Sequence, residues 1–483
     1  MPPASPSSSS GAPESKGFSE SSTTGHDGPG SGGTAAATAL LDRPEKAEAP
    51  LVLDAEPPRT LRFRDHFALW MNLGVSLIGF STAATVLGAP GSELSLAAAG
   101  TAIVAGTAVG TAMLGVAALI GARTGAPAMA NLRGLFGTRL SYVPTVLNIV
   151  QCIGWGVFEL LTIAAGAQTV AHTDSYRWLF VLLAGGLTTV LTIWPLGSIR
   201  VLRRFVAGAV AVAMVYLTVQ LGRHGVPDPG KGNWHGFLGA TDAMIAVSIS
   251  FVPLAADYTR HSRTPRSAFW GSFSGYTVAQ VWCYALGLMA LLQSDGDPNK
   301  IFDSFLGVWA GWLFLLVLVL RETDQSFANV YSTAMSVQNL LPRADRRVLS
   351  GAIGLLTTVL ALRIDKFTDT YTNFLGLIGS VFVPLLAVLA VDYFFGAGRN
   401  GWNLTAEAPS RWLMLLPWVL GFAVYQFIAP TPVAGWWTDF WTSAQGALHF
   451  TPQEWTSASL FAFAVPALVT WALTPLSRRT PQH

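Results

Sequence analysis

Residues 320–332 read Leu-Arg-Glu-Thr-Asp-Gln-Ser-Phe-Ala-Asn-Val-Tyr-Ser and directly follow an apolar run, Gly307 to Leu320. A helix needs about 20 mainly apolar residues to cross a bilayer, so this run must continue roughly six residues into the polar stretch. Glu322, Ser326 and Asn329 recur at helical spacing and share one face. Polar groups at membrane depth are costly and usually face a cavity. The alternative is that the span ends where the polar stretch begins and the rest is a cytoplasmic helix.

The composition of the whole chain is that of a polytopic membrane protein. Of its 483 residues, 51% are hydrophobic and only 12% are charged, and the mean hydropathy is +0.45. These values lie far from those of soluble domains. The two cysteines lie inside apolar runs, so the sequence indicates neither a disulfide framework nor a thiolate metal site.

About twelve apolar stretches have the length of a membrane-spanning helix. They cover residues 67–90, 95–121, 144–171, 177–197, 205–222, 238–257, 268–292, 304 to about 336, 348–363, 371–395, 411–430 and 458–475. Basic residues concentrate in alternate connections, as in the cluster Arg343, Arg346 and Arg347. By the positive-inside rule, both termini are predicted to be cytoplasmic. The sequence therefore predicts an all-α protein of the inner or plasma membrane.

Two of these spans contain residues that interrupt a helix. The first has a polar, glycine-bearing middle between Asn72 and Thr82. The sixth contains Pro253, which removes a backbone donor and collides with the carbonyl four residues back. Interrupted spans at matching positions predict inverted repeats of five helices, with helices 1 and 6 broken. The alternative is two ordinary kinked helices.

The spans divide the chain into four parts. Residues 1–60 have almost no large apolar side chains and are predicted to be a disordered cytoplasmic tail. Residues 61–397 are predicted to form the inverted-repeat core, residues 398–476 two additional transmembrane helices, and residues 477–483 a cytoplasmic tail.

The third span carries side chains suited to a planar heterocycle. Gln151, Trp155 and Glu159 follow one another at one-turn spacing. An indole offers a stacking surface, and a carboxylate accepts hydrogen bonds from the N–H or amino edge of a ring. Simple packing is the alternative for Trp155. An unpaired carboxylate near the middle of the membrane rarely serves packing, which favours a binding role for Glu159.

The eighth span also offers oxygen ligands. Thr323 and Asp324 could bind a small hard cation together with backbone carbonyls of the interrupted first span. Asp324 could instead be a protonatable coupling group or the partner of Arg321. The sequence contains no HExxH motif, metal-ligand cluster or carboxylate-rich transferase motif, so a membrane-embedded enzyme is disfavoured.

With these residues in view, the chain resembles nucleobase:cation symporter family 1, the purine, cytosine and allantoin permeases. The resemblance covers about residues 65–395. The matching stretches are Gly121 to Pro127, Gln151 to Glu159, Pro253 to Arg260, Glu322 to Thr333, and Phe374 to Tyr393.

This resemblance implies the five-plus-five inverted-repeat (LeuT-like) fold with two extra helices, working by alternating access. It implies that Trp155 stacks on the substrate and that Glu159 and Asn329 bond its edge. The acid at Glu159 departs from the glutamine of hydantoin-type members and favours a substrate rich in donors. Phe251 is the best match for the aromatic residue of the sixth helix, and Gln151 and Ser248 complete the predicted substrate site.

The resemblance also implies a sodium site. Its side-chain ligands fall on Thr323 and Asp324, and its carbonyl ligands fall near Gly74, Leu77 and Leu320. An aspartate at the second side-chain position departs from the family pattern and leaves Na⁺ or H⁺ as the coupling ion.

The sequence thus predicts a symporter that imports a nucleobase-like heterocycle, with cytosine or a purine as leading candidates. Allantoin, hydantoin or a hydroxymethylpyrimidine-type vitamin precursor is the alternative cargo on the same fold, and an amino acid is a further one. The predicted partners are the substrate, the coupling cation and the lipid bilayer. No further cofactor, nucleic acid or obligatory protein partner is predicted.

Overall fold

The computed structural model describes residues 57–477, with gaps at 88–93, 174, 194–198, 224, 226–231, 295, 298–299, 342–343, 365–366 and 454. The two predicted tails therefore lie almost wholly outside the described residues, and those predictions stay predictions. The described chain is helical, apart from two isolated β-bridges.

The helices follow the predicted spans closely. In chain order they are α1 Phe63–Gly74, α2 Leu77–Leu87, α3 Leu96–Thr124, α4 Ala128–Phe136, α5 Tyr142–Val170, α6 Arg177–Ile193, α7 Ile199–Arg223, α8 Phe237–Ile249, α9 Val252–Thr259, α10 Pro265–Gln293, α11 Asp303–Leu306, α12 Gly311–Leu340, α13 Arg346–Arg363, α14 Phe367–Phe395, α15 Leu415–Ile428, α16 Gly435–Ala447 and α17 Ala458–Ser477. Two short 3₁₀ helices, Ala397–Asn400 and Trp412–Met414, separate α14 from α15.

Each predicted span coincides with one or two of these helices. Within the described part of the chain, six helical stretches are long and apolar enough to cross a membrane, and the bent pair α1 and α2 makes a seventh. The other spans correspond to shorter apolar helices or, in α12 and α13, to helices that carry charged residues. The number of twelve crossings stays a prediction.

The first span is broken as predicted. Its two halves, α1 and α2, meet at an angle of 66°. Val75 lies between them with an extended backbone (φ −82°, ψ 112°), and its N–H still donates to the Met71 carbonyl. Because the chain leaves the helical path here, the last carbonyls of α1 and the first N–H groups of α2 lose their usual partners.

The sixth span is interrupted more gently. Only Ser250 and Phe251 separate α8 from α9, both keep right-handed helical dihedrals, and Phe237–Thr259 remains one apolar stretch of 23 residues. Pro253 is the second residue of α9. The break therefore lies just before the proline, where its ring excludes the Ile249 carbonyl from a helical hydrogen bond.

Small residues let α3 approach α8 closely. A Cβ atom added to Gly106 would lie 2.5 Å from the Thr241 carbonyl oxygen, and one added to Gly110 would lie 2.7 Å from the Ser248 Cβ. Such small-xxx-small spacing allows backbones to meet in a membrane. This contact fixes which face of α8 packs against α3.

The eighth span begins later than the sequence predicted. Its helix starts at Gly311 rather than near residue 304, because α11 and a left-handed Ala310 (φ 53°) precede it. It then continues to Leu340. Glu322 and Ser326 are fully buried and Asn329 is 9% exposed, so the polar stretch is internal and the alternative of a cytoplasmic helix is wrong.

Candidate substrate site

A cavity lies where both interrupted spans meet α5, α10 and α12. Four of the six predicted substrate residues, Trp155, Glu159, Phe251 and Asn329, line it. The other lining residues are Ser76, Ile78, Gly79, Thr82, Val247, Ser250, Leu254, Tyr276, Gln280 and Gln325. The arrangement combines aromatic faces with a small number of polar groups, which is typical of small-molecule sites.

Glu159 and Asn329 form the polar centre of this cavity. The Asn329 Nδ2 donates to Glu159 Oε1 at 2.8 Å, which joins α5 to α12. Glu159 is 1% exposed, and its Oε2 has no hydrogen-bond partner within the described chain. A buried polar atom without a partner is costly. This oxygen is therefore available to bond a ligand.

Two aromatic side chains, those of Trp155 and Phe251, line the cavity. Trp155 makes edge-to-face contacts with Tyr371 (centroids 5.9 Å apart) and Phe374 (5.4 Å), which fix the plane of its indole. Phe251 packs against Tyr276, with 5.1 Å between the ring centroids. Rings held in this way present preformed apolar faces to a planar ligand.

The remaining two predicted substrate residues do not line this cavity. The Gln151 Nε2 donates to the Ser250 carbonyl at 2.9 Å, so Gln151 supports the interruption of the sixth span. The Ser248 hydroxyl donates to the Met244 carbonyl at 3.3 Å, and its Cβ faces Gly110 on α3. Ser248 thus packs against α3 and does not line the cavity, and its role in substrate binding stays a prediction.

Three donors, none of them predicted, satisfy the open end of α1. The Asn72 carbonyl accepts from the Arg321 guanidinium. The two following carbonyls, of Leu73 and Gly74, accept from Gln325 Nε2 at 3.0 Å and from Gln280 Nε2 at 3.3 Å. Arg321 and Gln325 come from α12 and Gln280 from α10. The sequence feature that could have predicted these three donors is a long polar side chain within an apolar span.

The start of α2 is satisfied by one carboxylate. Glu322 accepts from the Ser76 hydroxyl at 2.5 Å and from the Leu77 N–H at 2.8 Å, and the Ser76 Oγ in turn accepts from the Ile78 N–H at 3.2 Å. A carboxylate at a helix N-terminus is favourable for both hydrogen bonding and the helix dipole. The sequence placed Glu322 on the correct face but did not indicate this contact.

Some of the predicted cation ligands take part in hydrogen bonds within the protein. Thr323 Oγ1 donates to the Leu320 carbonyl at 2.6 Å, and the Gly74 carbonyl accepts from Gln280. At Leu77 the bonded group is the N–H, which donates to Glu322, and not the carbonyl that was predicted as a ligand. The side chain of Asp324 lies outside the described part of the chain. The cation site therefore stays a prediction.

Comparison with known proteins identifies the family of the chain. The sequence pattern of a family described as permeases for cytosine/purines, uracil, thiamine and allantoin matches residues 55–404. A curated relative, the putative purine-cytosine permease YxlA of Bacillus subtilis (strain 168), is 25% identical over 357 residues, which cover 69% of this chain and 76% of that protein.

Two solved structures share the fold. The inward-facing conformation of Mhp1 superposes with a TM-score of 0.70 at 15% identity, covering 89% of this chain and 95% of that one. The second structure is of Mhp1, a nucleobase-cation-symport-1 family transporter, in a closed conformation with bromovinylhydantoin bound. It superposes with a TM-score of 0.65 at 17% identity, covering 89% of this chain and 97% of that one. The fold is the inverted-repeat transporter fold that the interrupted spans predicted. The chain therefore belongs to the family of permeases for cytosine/purines, uracil, thiamine and allantoin, and it is a polytopic membrane transporter rather than an enzyme.

Proposed function

We propose that this permease imports a nucleobase-like heterocycle, with cytosine or a purine as the leading candidates, by cation-coupled symport. The observation that carries the proposal is the buried pair of Glu159 and Asn329 beside the rings of Trp155 and Phe251 in one cavity. The family description and the name of the curated relative support the same substrate class.

In this proposal the ring of the substrate lies between Trp155 and Phe251. The free Oε2 of Glu159 accepts from an N–H or exocyclic amino group, and Asn329 contributes its amide to the same edge. A carboxylate accepts hydrogen bonds more strongly than an amide oxygen does. The site therefore favours rings with several donors on one edge, such as an aminopyrimidine or a purine.

Coupling follows from shared conformational states. If the substrate and a cation, Na⁺ or H⁺, both bind best to the same state, each raises the affinity for the other. Interrupted helices give such a site access to alternate sides of the membrane. We place the protein in the cell membrane with both termini in the cytoplasm, working without an obligatory protein partner.

Uptake of radiolabelled cytosine and adenine by cells that overproduce the protein tests this proposal. We expect Glu159→Ala to abolish uptake while the protein still reaches the membrane. The matched control is Glu407→Ala, which removes an exposed carboxylate outside the cavity and should leave uptake unchanged. Normal uptake by Glu159→Ala would refute the assigned role of this residue.

A second cargo class has a specific observation in its favour. The related transporter Mhp1 has been solved with a substituted hydantoin bound, and the family description includes thiamine and allantoin. Competition of labelled cytosine uptake by unlabelled purines, allantoin, hydantoins, hydroxymethylpyrimidine and amino acids separates these candidates. Competition by hydantoin or allantoin alone would favour the second class.

A further inference from the structure

The break in the first span exposes two helix ends of opposite polarity inside the protein. The carbonyl end of α1 carries partial negative charge, and the amide end of α2 carries partial positive charge. Only Val75 and Ser76 separate these ends. In a dry interior both need partners, since unsatisfied backbone groups cost several kcal/mol each in a membrane.

Two adjacent residues of α12 supply these partners with matching charge. The Arg321 guanidinium donates to the Asn72 carbonyl at the negative end, and the Glu322 carboxylate accepts from the Leu77 N–H at the positive end. Arg321 is 2% exposed and Glu322 is fully buried. One turn of α12 therefore neutralises both sides of the break with groups that belong to the protein.

We propose that Arg321 is a resident cation at this break, so that transport requires neither sodium nor another alkali cation. This inference rests on the proposed symport function and specifies its coupling ion. An alkali cation bound at the end of a half-helix is coordinated by several of its backbone carbonyl oxygens. Here the carbonyls of Asn72, Leu73 and Gly74 already accept from Arg321, Gln325 and Gln280.

The guanidinium also opposes a second cation through its own charge. Arg321 cannot lose its proton inside a protein, so its charge is permanent. A cation placed beside it would be repelled, and the repulsion is strong where water is excluded. An alkali ion at the Asn72 carbonyl would therefore lie beside the guanidinium and would bind only against its repulsion.

The charges of the described side chains around the cavity favour the proton as the coupling ion. Arg321 interacts electrostatically with two buried carboxylates, Glu322 and Glu159. The phenols of Tyr276 and Tyr371, on α10 and α14, also face this region and are neutral at physiological pH. Among the side chains described there, two carboxylates share one guanidinium. A proton is the smallest ligand that balances the remaining charge.

Purified wild-type protein in liposomes tests the inference directly. Uptake of labelled cytosine and adenine is measured under an inward proton gradient, in choline buffers without alkali cations and again with sodium replacing choline. We expect rates within about twofold of each other, because an ion that binds no state of the transporter cannot shift its cycle. A saturable, several-fold stimulation by sodium would overturn the inference while leaving the proposed substrate class intact.

A second measurement does not depend on knowing the substrate. A ligand that binds only the folded state raises its stability. We therefore expect the melting temperature of the wild-type protein to be the same in sodium chloride and in choline chloride of equal concentration. A specific rise with sodium would overturn the inference, whether or not a labelled base is transported. Absence of transport of any labelled base would instead refute the proposed function.

Variants of Arg321 separate its charge from its packing. Arg321→Met removes the charge at similar length, and Arg321→Lys keeps it. We expect Arg321→Met to reduce uptake in alkali-free buffer at least about tenfold, because it removes the positive charge beside Glu322. Arg321→Lys keeps the charge and should retain part of the uptake. The control Arg347→Met alters an exposed arginine and should transport normally. Wild-type uptake by Arg321→Met in alkali-free buffer would overturn the inference.

Discussion

Glu322→Ala should be among the most destabilising single substitutions in the transporter core. It removes the acceptor of the Ser76 hydroxyl and of the Leu77 N–H at one time. Each hydrogen bond to a charged group contributes about 1.5–3 kcal/mol. The guanidinium of Arg321 also loses the electrostatic attraction of the neighbouring carboxylate. Because these costs overlap, we expect a total loss of about 3–5 kcal/mol rather than their sum.

The two cysteines of the chain provide the assay. Cys152 and Cys283 are both buried free thiols, so a thiol-reactive fluorescent dye labels them only when the protein unfolds. At roughly 1–2 °C for each kcal/mol in a chain of this size, the melting temperature of Glu322→Ala should fall by about 5 °C. Glu322→Gln keeps an oxygen acceptor of similar shape but loses the charge, so its melting temperature should be intermediate.

Glu407→Ala serves as the matched control, because its carboxylate is exposed and should contribute little. The reasoning fails if Glu322→Ala melts within about 1 °C of the wild type. It also fails if Glu322→Gln is the less stable of the two variants, since the loss would then not follow from missing acceptors.

Three other predictions test the packing and the site. Asn329→Asp should reduce substrate affinity at least about tenfold, because it replaces a donor with a carboxylate 2.8 Å from an existing one; competition binding measures this. Gly106→Ala should lower thermal stability by about 1–3 kcal/mol, because its Cβ would meet a backbone oxygen at 2.5 Å, whereas Gly100→Ala, with no atom within 4 Å, should not. Asp392→Ala leaves Arg411 without its buried partner at 2.7 Å and should cost about 3–5 kcal/mol, measured with the same dye.

The length of the apolar runs was sufficient to predict most of the helices, although not α4 or α16. Every predicted span coincides with helix, and the first span breaks within the polar segment that marked it. Helical periodicity placed Trp155, Glu159 and Asn329 on faces that line one cavity. These features depend on properties within a single helix, namely its length, its apolar face and the backbone preferences of Gly and Pro.

The contacts between helices could not be predicted from patterns within single helices. Ser248 was assigned to the substrate site, but its Cβ faces Gly110 of α3 and it does not line the cavity. Gln151 has the correct helical face, yet it bonds the Ser250 carbonyl instead of lining the cavity. The late start of α12 at Gly311 depends on a left-handed turn at Ala310, a residue type that rarely adopts it.

The sequence by itself determined the class of protein, the positions of its helices and the polar faces that a substrate would meet. Only the tertiary structure decided that Arg321 and Glu322 close the break in the first span, nearly 250 residues earlier in the chain. The physical reason is that a membrane gives no hydrophobic preference between one apolar helix face and another. The rotation and depth of each helix are set by close packing and by pairs of polar groups from different helices, and no pattern within a single helix records those pairs.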